Sequence, residues 1–235
     1  MIKRIVRSVL GDNTVESIKE AIVRRRIRLY GTKAIEALGF VASKSNKPYW
    51  LAFGTLLGAY REKGFIKNDD DIDTAMFCSD ITADFINSLC QKGFQLEHCL
   101  LTGDNKFCQV SFKYHKISFD IYGFNKKGNN DSEVIGFIPR ALHGKDWKEA
   151  FALNKFKVLL VTMPFGGTLE TDFLGIKTSI PKQTELFLKK HYGEDFMTPI
   201  KGKKGNSKET IEEIPIEQMT ASIVSLEEML SAIKH

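Results

Sequence analysis

The stretch that decides the fold is WLAFGTLLGAYREKGFIKNDDDIDTAMF, residues 50–77. It opens with apolar residues, passes through Gly54 and Gly58, and then packs aspartates closely together: Asp69, Asp70, Asp71 and Asp73. Carboxylates this close repel one another and oppose folding unless a cation or water neutralises them. The cluster therefore indicates a cation site, and the residues around it predict what holds the cation.

The residues before the aspartates predict a phosphate-binding turn. The aromatic, apolar YWLAF, residues 49–53, is typical of a strand, and TLLGAYREK, residues 55–63, of a short helix. Gly54 would let a ligand approach the backbone closely, and Thr55 would add a hydroxyl at the positive end of the helix. Since a glycine after a strand is more often only a turn, this pattern gains weight from the aspartates that follow.

The segment DIDTAMF, residues 71–77, predicts a strand with two metal ligands on one face. Asp71 and Asp73 are two positions apart, so both side chains leave the same face, with Cα atoms roughly 6.7 Å apart. Mg²⁺ prefers oxygen ligands and needs few protein carboxylates when it also bridges to phosphates.

A third carboxylate is predicted at Asp120, which stands alone among apolar residues in ISFDIYGF. An unpaired buried Asp would be costly, so Asp120 is either a ligand or an Asp at a water-exposed strand end. Asp69 shares the parity of Asp71 and is either a further ligand or a loop residue.

Hydrophobic periodicity outlines the other elements. Residues 13–40 are helical in pattern, with a capping box at Asn13 and Glu16, and Gly31 is a candidate break between two helices. Further helices are predicted at residues 81–92, 182–191 and 216–233, and further strands at residues 94–100, 107–114, 117–124 and 156–163. Residues 126–146 are rich in loop-forming residues, and the lysine–glycine segment KGKKGNSKE predicts a flexible linker.

Composition favours a globular protein. The chain has 235 residues, of which 43% are hydrophobic, enough for a substantial core. It lacks the long apolar run of a membrane span, and MIKRIVRSVLGDN at its start lacks the features of a signal peptide, so we expect a cytoplasmic protein. The cysteine spacing fits neither a zinc pair nor a disulfide framework, and the thiols are interpreted as reduced and buried. The histidines show no metal-binding spacing.

The net charge of +5 is unevenly distributed. The basic residues form two clusters: Arg24, Arg25, Arg26 and Arg28, and Lys201, Lys203, Lys204 and Lys208. Each is interpreted as a solvated face or as a contact with anionic lipid headgroups or a phosphorylated acceptor. Because neither is interleaved with aromatic residues, we expect no nucleic-acid partner.

A Gly-Thr pair before a helix, an Asp-x-Asp strand and a single later strand Asp resemble the nucleotidyltransferase fold of polymerase-beta-like enzymes. FGTLLGAYREKGFIKNDDDIDTAMF is similar to the hallmark of the LicD family, which includes bacterial phosphocholine transferases and the fukutin-related proteins of animals. IPKQTELFLKKHYGEDFMTP, residues 180–199, is similar to the family's closing segment. One departure is Lys67 and Asn68, where the family often has Pro-Trp.

The resemblance implies an α/β (α+β) fold, with a mixed sheet flanked by helices and helical additions at both ends. It places a basic helical segment at residues 1–48 and the catalytic nucleotidyltransferase domain at residues 49–200. A flexible basic segment and a C-terminal helix would follow at residues 201–235.

The resemblance also implies an activity. A phosphorylated small group, phosphocholine or an alditol phosphate, would move from a CDP-linked donor to a hydroxyl of a cell-surface glycan. The acceptor is a glycan or a lipid-linked glycan, which would bring the protein to the inner face of an anionic membrane.

Each site residue receives a role from the same resemblance. Asp71, Asp73 and Asp120, with Asp69, would hold Mg²⁺ or Mn²⁺, and Asp120 is alternatively the base that takes the acceptor's proton. Residues expected to bind the donor's phosphates are Gly54, Thr55 and Gly58. Arg61 would either neutralise charge on the transferred phosphoryl group or pair with the aspartates.

Two other functions stay open on the sequence. A nucleotidylyltransferase would use the same carboxylates but attack the α-phosphorus and release diphosphate. A non-catalytic relative would bind nucleotide or glycolipid, but it would be expected to lose carboxylates, and this chain retains three at the expected places.

Overall fold

A mixed β-sheet forms the centre of the fold. The computed structural model describes residues 12–67, 69–129, 131–141, 146–199, 211–212 and 220–224, and within them nine strands pair into this sheet. The strands are β1 (Tyr49–Leu51), β2 (Asp71–Phe77), β3 (Gln95–Thr102), β4 (Phe107–Tyr114), β5 (Ile117–Lys126), β6 (Glu133–Arg140), β7 (Phe156–Pro164), β10 (Ile211–Glu212) and β11 (Thr220–Val224). The order of the strands in the sheet is β1-β2-β5-β4-β3-β11-β7-β10, and β6 joins β5 to β7. A separate hairpin consists of β8 (Thr168–Phe173) and β9 (Ile176–Pro181).

The pairing of β2 with β5 sets the position of the aspartates. These strands are parallel, whereas the other pairings described are antiparallel. Asp73 lies opposite Asp120, and Asp71 opposite Ser118. Side chains alternate between the faces of a strand, so the carboxylates of both strands leave the same face of the sheet.

Helices cover the sheet and connect its strands. They are α1 (Asp12–Lys44), α2 (Phe53–Leu57), α3 (Ala83–Gln91), α4 (Trp147–Leu153) and α5 (Thr184–Tyr192). One π-helical turn, Gly58–Glu62, extends α2. The start of α3 is capped by Thr82, whose hydroxyl accepts a hydrogen bond from the Phe85 N–H.

The long helix α1 is continuous through Gly31. Ala34, Ile35 and Leu38 are fully buried on its inner face, at the spacing of a helix that packs one stripe against a core. A Cβ on Gly31 would lie 2.6 Å from Cζ of Phe65. The glycine therefore allows close packing, and the predicted break into two helices is wrong.

An aromatic cluster joins β1 to the rest of the core. Trp50 is fully buried and packs with ring-centroid distances of 5.3 Å to Phe77, 5.7 Å to Phe124 and 4.6 Å to Phe165. Rings in tilted and edge-on pairs add to the stabilisation from burial alone. The cluster fixes the strand that leads directly into α2.

Several elements differ from the sequence-based predictions. β6 lies inside residues 126–146, a region rich in loop-forming residues for which no element was predicted. Its Gly136 and Pro139 are uncommon inside strands and obscured it. The hairpin β8–β9 and the helix α4 were not predicted. β11 lies inside the predicted terminal helix, because residues 220–224 pair with β3 and β7; the rest of that helix and the linker at residues 201–209 lie outside the described residues.

The cysteine prediction is correct in chemistry and partly wrong in burial. All four cysteines are free thiols. Cys99 and Cys108 are buried, but Cys90 is exposed. Burial raises the pKa of the Cys99 thiol to about 12, which keeps it protonated and unreactive.

The length and the apolar content of the helices decide whether any of them could cross a membrane. Among the described residues, no helix is both long enough and apolar enough to cross a membrane.

The packing of Gly31 gives a first prediction. In a helix interior, alanine is more stabilising than glycine by about 1 kcal/mol. At position 31, however, its Cβ would collide with Phe65, and overpacking costs about 1–3 kcal/mol. We expect Gly31→Ala to lower the melting temperature in the parent protein and to raise it in a Phe65→Ala background. Thermal unfolding of the four proteins measures this; an equal effect in both backgrounds would contradict the packing role.

Candidate active site

Three carboxylates meet where β2 and β5 run side by side. One carboxylate oxygen from each of Asp71, Asp73 and Asp120 lies within 4.8 Å of the other two. Asp73 and Asp120 are buried, and Asp71 is partly buried. This acidic triad offers only oxygen ligands, the kind that hard divalent cations prefer. Asp69 is not part of this mutually close group.

The turn from β1 into α2 holds Asp73 by three hydrogen bonds. The N–H of Asp73 donates to Oγ1 of Thr55 at 2.9 Å, and its carbonyl accepts from the N–H of Ala52 at 3.1 Å. Its carboxylate oxygen Oδ2 accepts from the N–H of Gly54 at 3.1 Å. A carboxylate at the start of a helix is stabilised by the helix dipole, so α2 orients Asp73 and offsets part of the cost of burying it.

Gly54 makes room for two carboxylates. A Cβ built on Gly54 would lie 3.2 Å from Oδ1 of Asp69 and 3.3 Å from Oδ2 of Asp73. The preceding residue, Phe53, has a φ of 39°, a left-handed conformation that costs a non-glycine residue about 1–3 kcal/mol. The chain bends sharply here to bring the start of α2 against the aspartates.

A hydrogen-bond relay fixes Asp120. Gln109 donates from Nε2 to Oγ of Ser111 at 3.0 Å, and Ser111 donates to Oδ1 of Asp120 at 2.6 Å. The backbone carbonyl of Asp120 accepts from Oγ1 of Thr74 at 2.9 Å. These contacts tie the carboxylate to β4 on one side and its backbone to β2 on the other.

Burial raises the pKa of each carboxyl group in the acidic triad, and repulsion from neighbouring carboxylates adds to the shift at Asp71 and Asp73. Burial, followed by the charge of Asp120, raises the pKa of Asp71 to about 7. Burial, then Asp71 and Asp120, raises the pKa of Asp73 well above its usual value, against the Gly54 N–H. Burial also raises the pKa of Asp120, opposed by the hydrogen bond from Ser111, and burial with Asp70 raises that of Asp69 to about 7. A cation in the triad would relieve both causes.

Thr55 and Gly58 make contacts inside the protein, and their contact with the donor's phosphates stays a prediction. Thr55 is fully buried, and its hydroxyl accepts the Asp73 N–H. The Gly58 N–H bonds to the carbonyls of Gly54 and Thr55. A Cβ on Gly58 would lie 2.4 Å from the carbonyl oxygen of Gly64. Both residues therefore have packing roles that account for their identity.

Arg61 bridges to the C-terminal side of the domain. Its Nη1 donates to the carbonyl of Phe196 at 3.1 Å, and its Nη2 pairs with Oε1 of Glu62 at 2.7 Å. Nε is buried and has no hydrogen-bond partner among the described residues. Its charge also acts on Asp69, whose pKa it lowers against the larger effect of burial. Its ion pair is thus with Glu62, next to the aspartates.

The structure adds Arg140 and two tyrosines to the predicted site. Gly136 on β6 is the partner of Phe124 on β5, so Arg140, four residues later, leaves the same face as Asp120. Burial lowers the pKa of Arg140, and the nearby Tyr122 and Asp73 oppose that shift.

The two tyrosines, Tyr122 and Tyr192, lie close enough to the triad for the charge of Asp73 to affect their pKa values. Burial and then Asp73 raise the pKa of Tyr122, and the same two causes raise the pKa of Tyr192. The parity of Tyr122 with Asp120 could have revealed it from the sequence. Arg140 could not be found, because β6 itself was not predicted.

Comparison with known proteins agrees with this geometry. Residues 46–169, just over half of the chain, match the family described as LicD/FKTN/FKRP, nucleotidyltransferase domain. The chain belongs to the LicD family. The predicted resemblance and the predicted nucleotidyltransferase fold are confirmed. The matched residues of this LicD-family chain contain the whole acidic triad and Arg140, and they end before α5.

Curated relatives support the same assignment. Ribitol-5-phosphate transferase FKTN of Mus musculus is 26% identical over 202 residues, which cover 85% of this chain and 38% of that protein. The Homo sapiens protein of the same name is 26% identical over 194 residues, 82% of this chain and 37% of its own length. Both relatives are named as transferases of a phosphorus-containing group, as predicted for the LicD-family chain, which spans less than two fifths of their length.

The raised pKa of Asp71 predicts how the metal-free protein responds to pH. In the unfolded chain an Asp titrates near 3.9, while folded Asp71 titrates at about 7. Between these values the folded protein keeps a proton that the unfolded chain releases. This contribution to stability is therefore complete below about pH 4 and is lost as the pH rises to about 7.

We expect Asp71→Asn to be more stable than the parent at pH 8 in EDTA and to lose this advantage at pH 4. Thermal unfolding across this range measures the difference, and Asp70→Asn is the comparison: its gain should be smaller, because Asp70 is exposed and only adds to the charge that acts on Asp71. Added Mg²⁺ should raise the parent's melting temperature more at pH 8 than at pH 5, since carboxylate ligands must be deprotonated. An equal shift at both pH values would speak against a carboxylate metal site.

Proposed function

We propose that the chain is a Mg²⁺-dependent phosphotransferase that moves an alditol phosphate or phosphocholine from a CDP-linked donor to a glycan hydroxyl. The observation that carries the proposal is the acidic triad within a nucleotidyltransferase domain of the LicD family. The name of the relatives, ribitol-5-phosphate transferase, favours an alditol phosphate as the group transferred. The catalytic unit is proposed to be residues 49–200.

Asp71, Asp73 and Asp120 would hold the cation. Their carboxylate oxygens suit Mg²⁺ and Mn²⁺ alike, and a bound cation would oppose the rise in pKa that burial causes at all three. Bound there, the cation would neutralise charge on the donor's diphosphate and stabilise the charge that develops during transfer.

The turn at Gly54 and Thr55 is proposed to act mainly through Asp73. Both residues donate to or accept from Asp73, so they fix the orientation of a metal ligand instead of cradling the phosphate directly. Preorganisation of this kind lowers the reorganisation required when the substrate arrives. It also explains why the Gly-Thr pair and the Asp-x-Asp strand occur together.

Arg140 and Asp120 would act on the reacting groups. Arg140 is proposed to stabilise charge on the transferred phosphoryl group, because it shares the sheet face of Asp120 and interacts with Asp73. Asp120 has two candidate roles, metal ligand or base for the acceptor hydroxyl. The Ser111 hydrogen bond holds Asp120 in place for either role. Arg61 is proposed to position the domain's C-terminal side through Phe196.

The phosphorus attacked decides the class of enzyme. In the proposed reaction the acceptor oxygen bonds to the phosphorus distal to cytidine, the bond to the bridging oxygen breaks, and CMP leaves. We expect CMP release from CDP-ribitol with Mg²⁺ and acceptor glycan, and a product whose mass increases by one ribitol phosphate. Chromatography of the nucleotide and mass spectrometry of the glycan measure both. A product that carries a whole nucleotide, with release of diphosphate, would identify a nucleotidylyltransferase instead.

The acidic triad predicts a sharp contrast between neighbouring aspartates. Asp71→Asn and Asp73→Asn should each lower kcat by at least about a hundredfold, because each removes a charged ligand from the metal. Their metal-free melting temperatures should be unchanged or higher, since like-charge repulsion falls. Asp70→Asn, the matched control at an exposed position, should keep its activity within about twofold. Near-normal Mg²⁺-dependent turnover by either triad variant would make the metal assignment untenable.

Asp120→Asn separates the two roles of that residue. If Asp120 is the base, the variant should lose far more in kcat than in donor affinity, whereas if Asp120 is a metal ligand the variant should lose both.

The cytoplasmic location and the contact with an anionic membrane stay predictions.

A further inference from the structure

A charged cavity lies beside the acidic triad, between α1 and the loop that leads into β2. Its volume is about 270 Å³, large enough for a small polyol phosphate and far smaller than a whole nucleotide-linked donor requires. Arg24, Arg28 and Lys67 line the cavity, with Glu62 and Asp69, over an apolar surface. The apolar lining is made of Ile27, Phe65 and Ile66.

The basic side chains keep capacity to bind an anion. Arg24 pairs with Glu20 at 3.2 Å through Nη1, and Arg28 donates from Nε to the Arg24 carbonyl at 3.4 Å. The Arg24 pair is exposed to solvent, and exposed pairs contribute little to stability. A guanidinium has five N–H donors, and each of these contacts uses one. Arginine and lysine together are typical phosphate ligands.

Asp69 connects the cavity to the triad. Asp69 lines the cavity. A Cβ built on Gly54 would lie 3.2 Å from Oδ1 of Asp69 and 3.3 Å from Oδ2 of Asp73, so the two carboxylates approach the same side of Gly54. Oδ2 of Asp69 is buried and receives no hydrogen bond from the part of the chain that the structure describes. Such an acceptor is costly to leave unpaired, and a turn of the Asp69 side chain toward the cavity would let a ligand hydroxyl supply the missing donor.

We propose that this cavity binds a phosphorylated polyol portion of a substrate. Arg24, Arg28 and Lys67 contact its phosphate, and Asp69 accepts a hydrogen bond from one of its hydroxyls. That the ligand is a substrate rests on the proposed transfer function, but its binding requires neither metal nor turnover. The polyol phosphate can belong to the donor or to a phosphorylated acceptor, because both present the same chemistry.

Titration of the full chain with glycerol 3-phosphate in EDTA tests the cavity without the metal site. NMR shifts of backbone amides, or calorimetry, give the dissociation constant. We expect saturable binding by the parent and at least a tenfold higher dissociation constant for Arg28→Gln/Lys67→Gln. Both side chains are exposed, so the fold should survive, and thermal unfolding checks it; the two single variants provide an independent comparison.

The matched control is Arg25→Gln/Lys148→Gln, which removes the same two charges from exposed residues that do not line the cavity. Its dissociation constant should stay within twofold of the parent's. No saturable binding by the parent, or equal losses in both double variants, would refute the cavity as a phosphate site, since general charge would then explain the result.

Competition identifies the source of the ligand. Displacement of glycerol 3-phosphate by CDP-ribitol assigns the cavity to the donor, and displacement by a phosphorylated glycan assigns it to the acceptor; displacement by neither overturns the substrate assignment. The two proposals can fail separately. Binding of glycerol 3-phosphate without any transfer of ribitol phosphate would refute the proposed function and support the phosphate site. Transfer of ribitol phosphate without binding in the cavity would support the proposed function and refute the phosphate site.

Discussion

Electrostatic repulsion within the acidic triad is the constraint on which the rest of the site depends. The parallel register of β2 and β5 places Asp73 directly opposite Asp120, and the alternation of side chains adds Asp71 to the same face. Burial strengthens the repulsion, because the low dielectric of the interior screens charge poorly. A fold that retains this arrangement must hold the carboxylates rigidly, or they would move apart.

The surrounding elements supply that rigidity by hydrogen bonds to each carboxylate or its backbone. Asp73 is bound to the turn before α2, and Asp120 is bound to the Ser111–Gln109 relay on β4. The strained φ of Phe53 belongs to the same arrangement, since it directs the start of α2 toward Asp73. Stability is thus given up locally to keep three oxygen ligands close together, which is the expected pattern for a site that gains its full stability only with a bound cation.

The sequence predicted the parts of the site that follow from local periodicity. Asp71 and Asp73 share a face because a strand has a period of two, and Asp120 was recognisable as one charge in an apolar strand. The burial of Thr55 was not predictable, because a helix start does not reveal whether its hydroxyl turns to solvent or to a neighbouring strand. Arg140 was missed because Gly136 and Pro139 obscure β6, and Gly136 is required by the Phe124 ring, 2.4 Å from where its Cβ would lie. Residues 220–224 pair with two distant strands, and such tertiary pairing overrides a local helical pattern.

The site and the neighbouring cavity differ in where their residues come from. The triad and Arg140 lie within the residues that match the LicD family, as do Lys67 and Asp69, whereas Arg24 and Arg28 belong to α1, before the matched region begins at residue 46. Metal and phosphoryl chemistry would therefore reside in the shared domain, and selectivity for a phosphorylated ligand would come partly from a helix packed onto it. Gly31 lets α1 contact Phe65 closely, which brings Arg28 against the loop that carries Lys67 and Asp69. The contact between Gly31 and Phe65 thus helps to place an element outside the family match beside an aspartate that neighbours the triad.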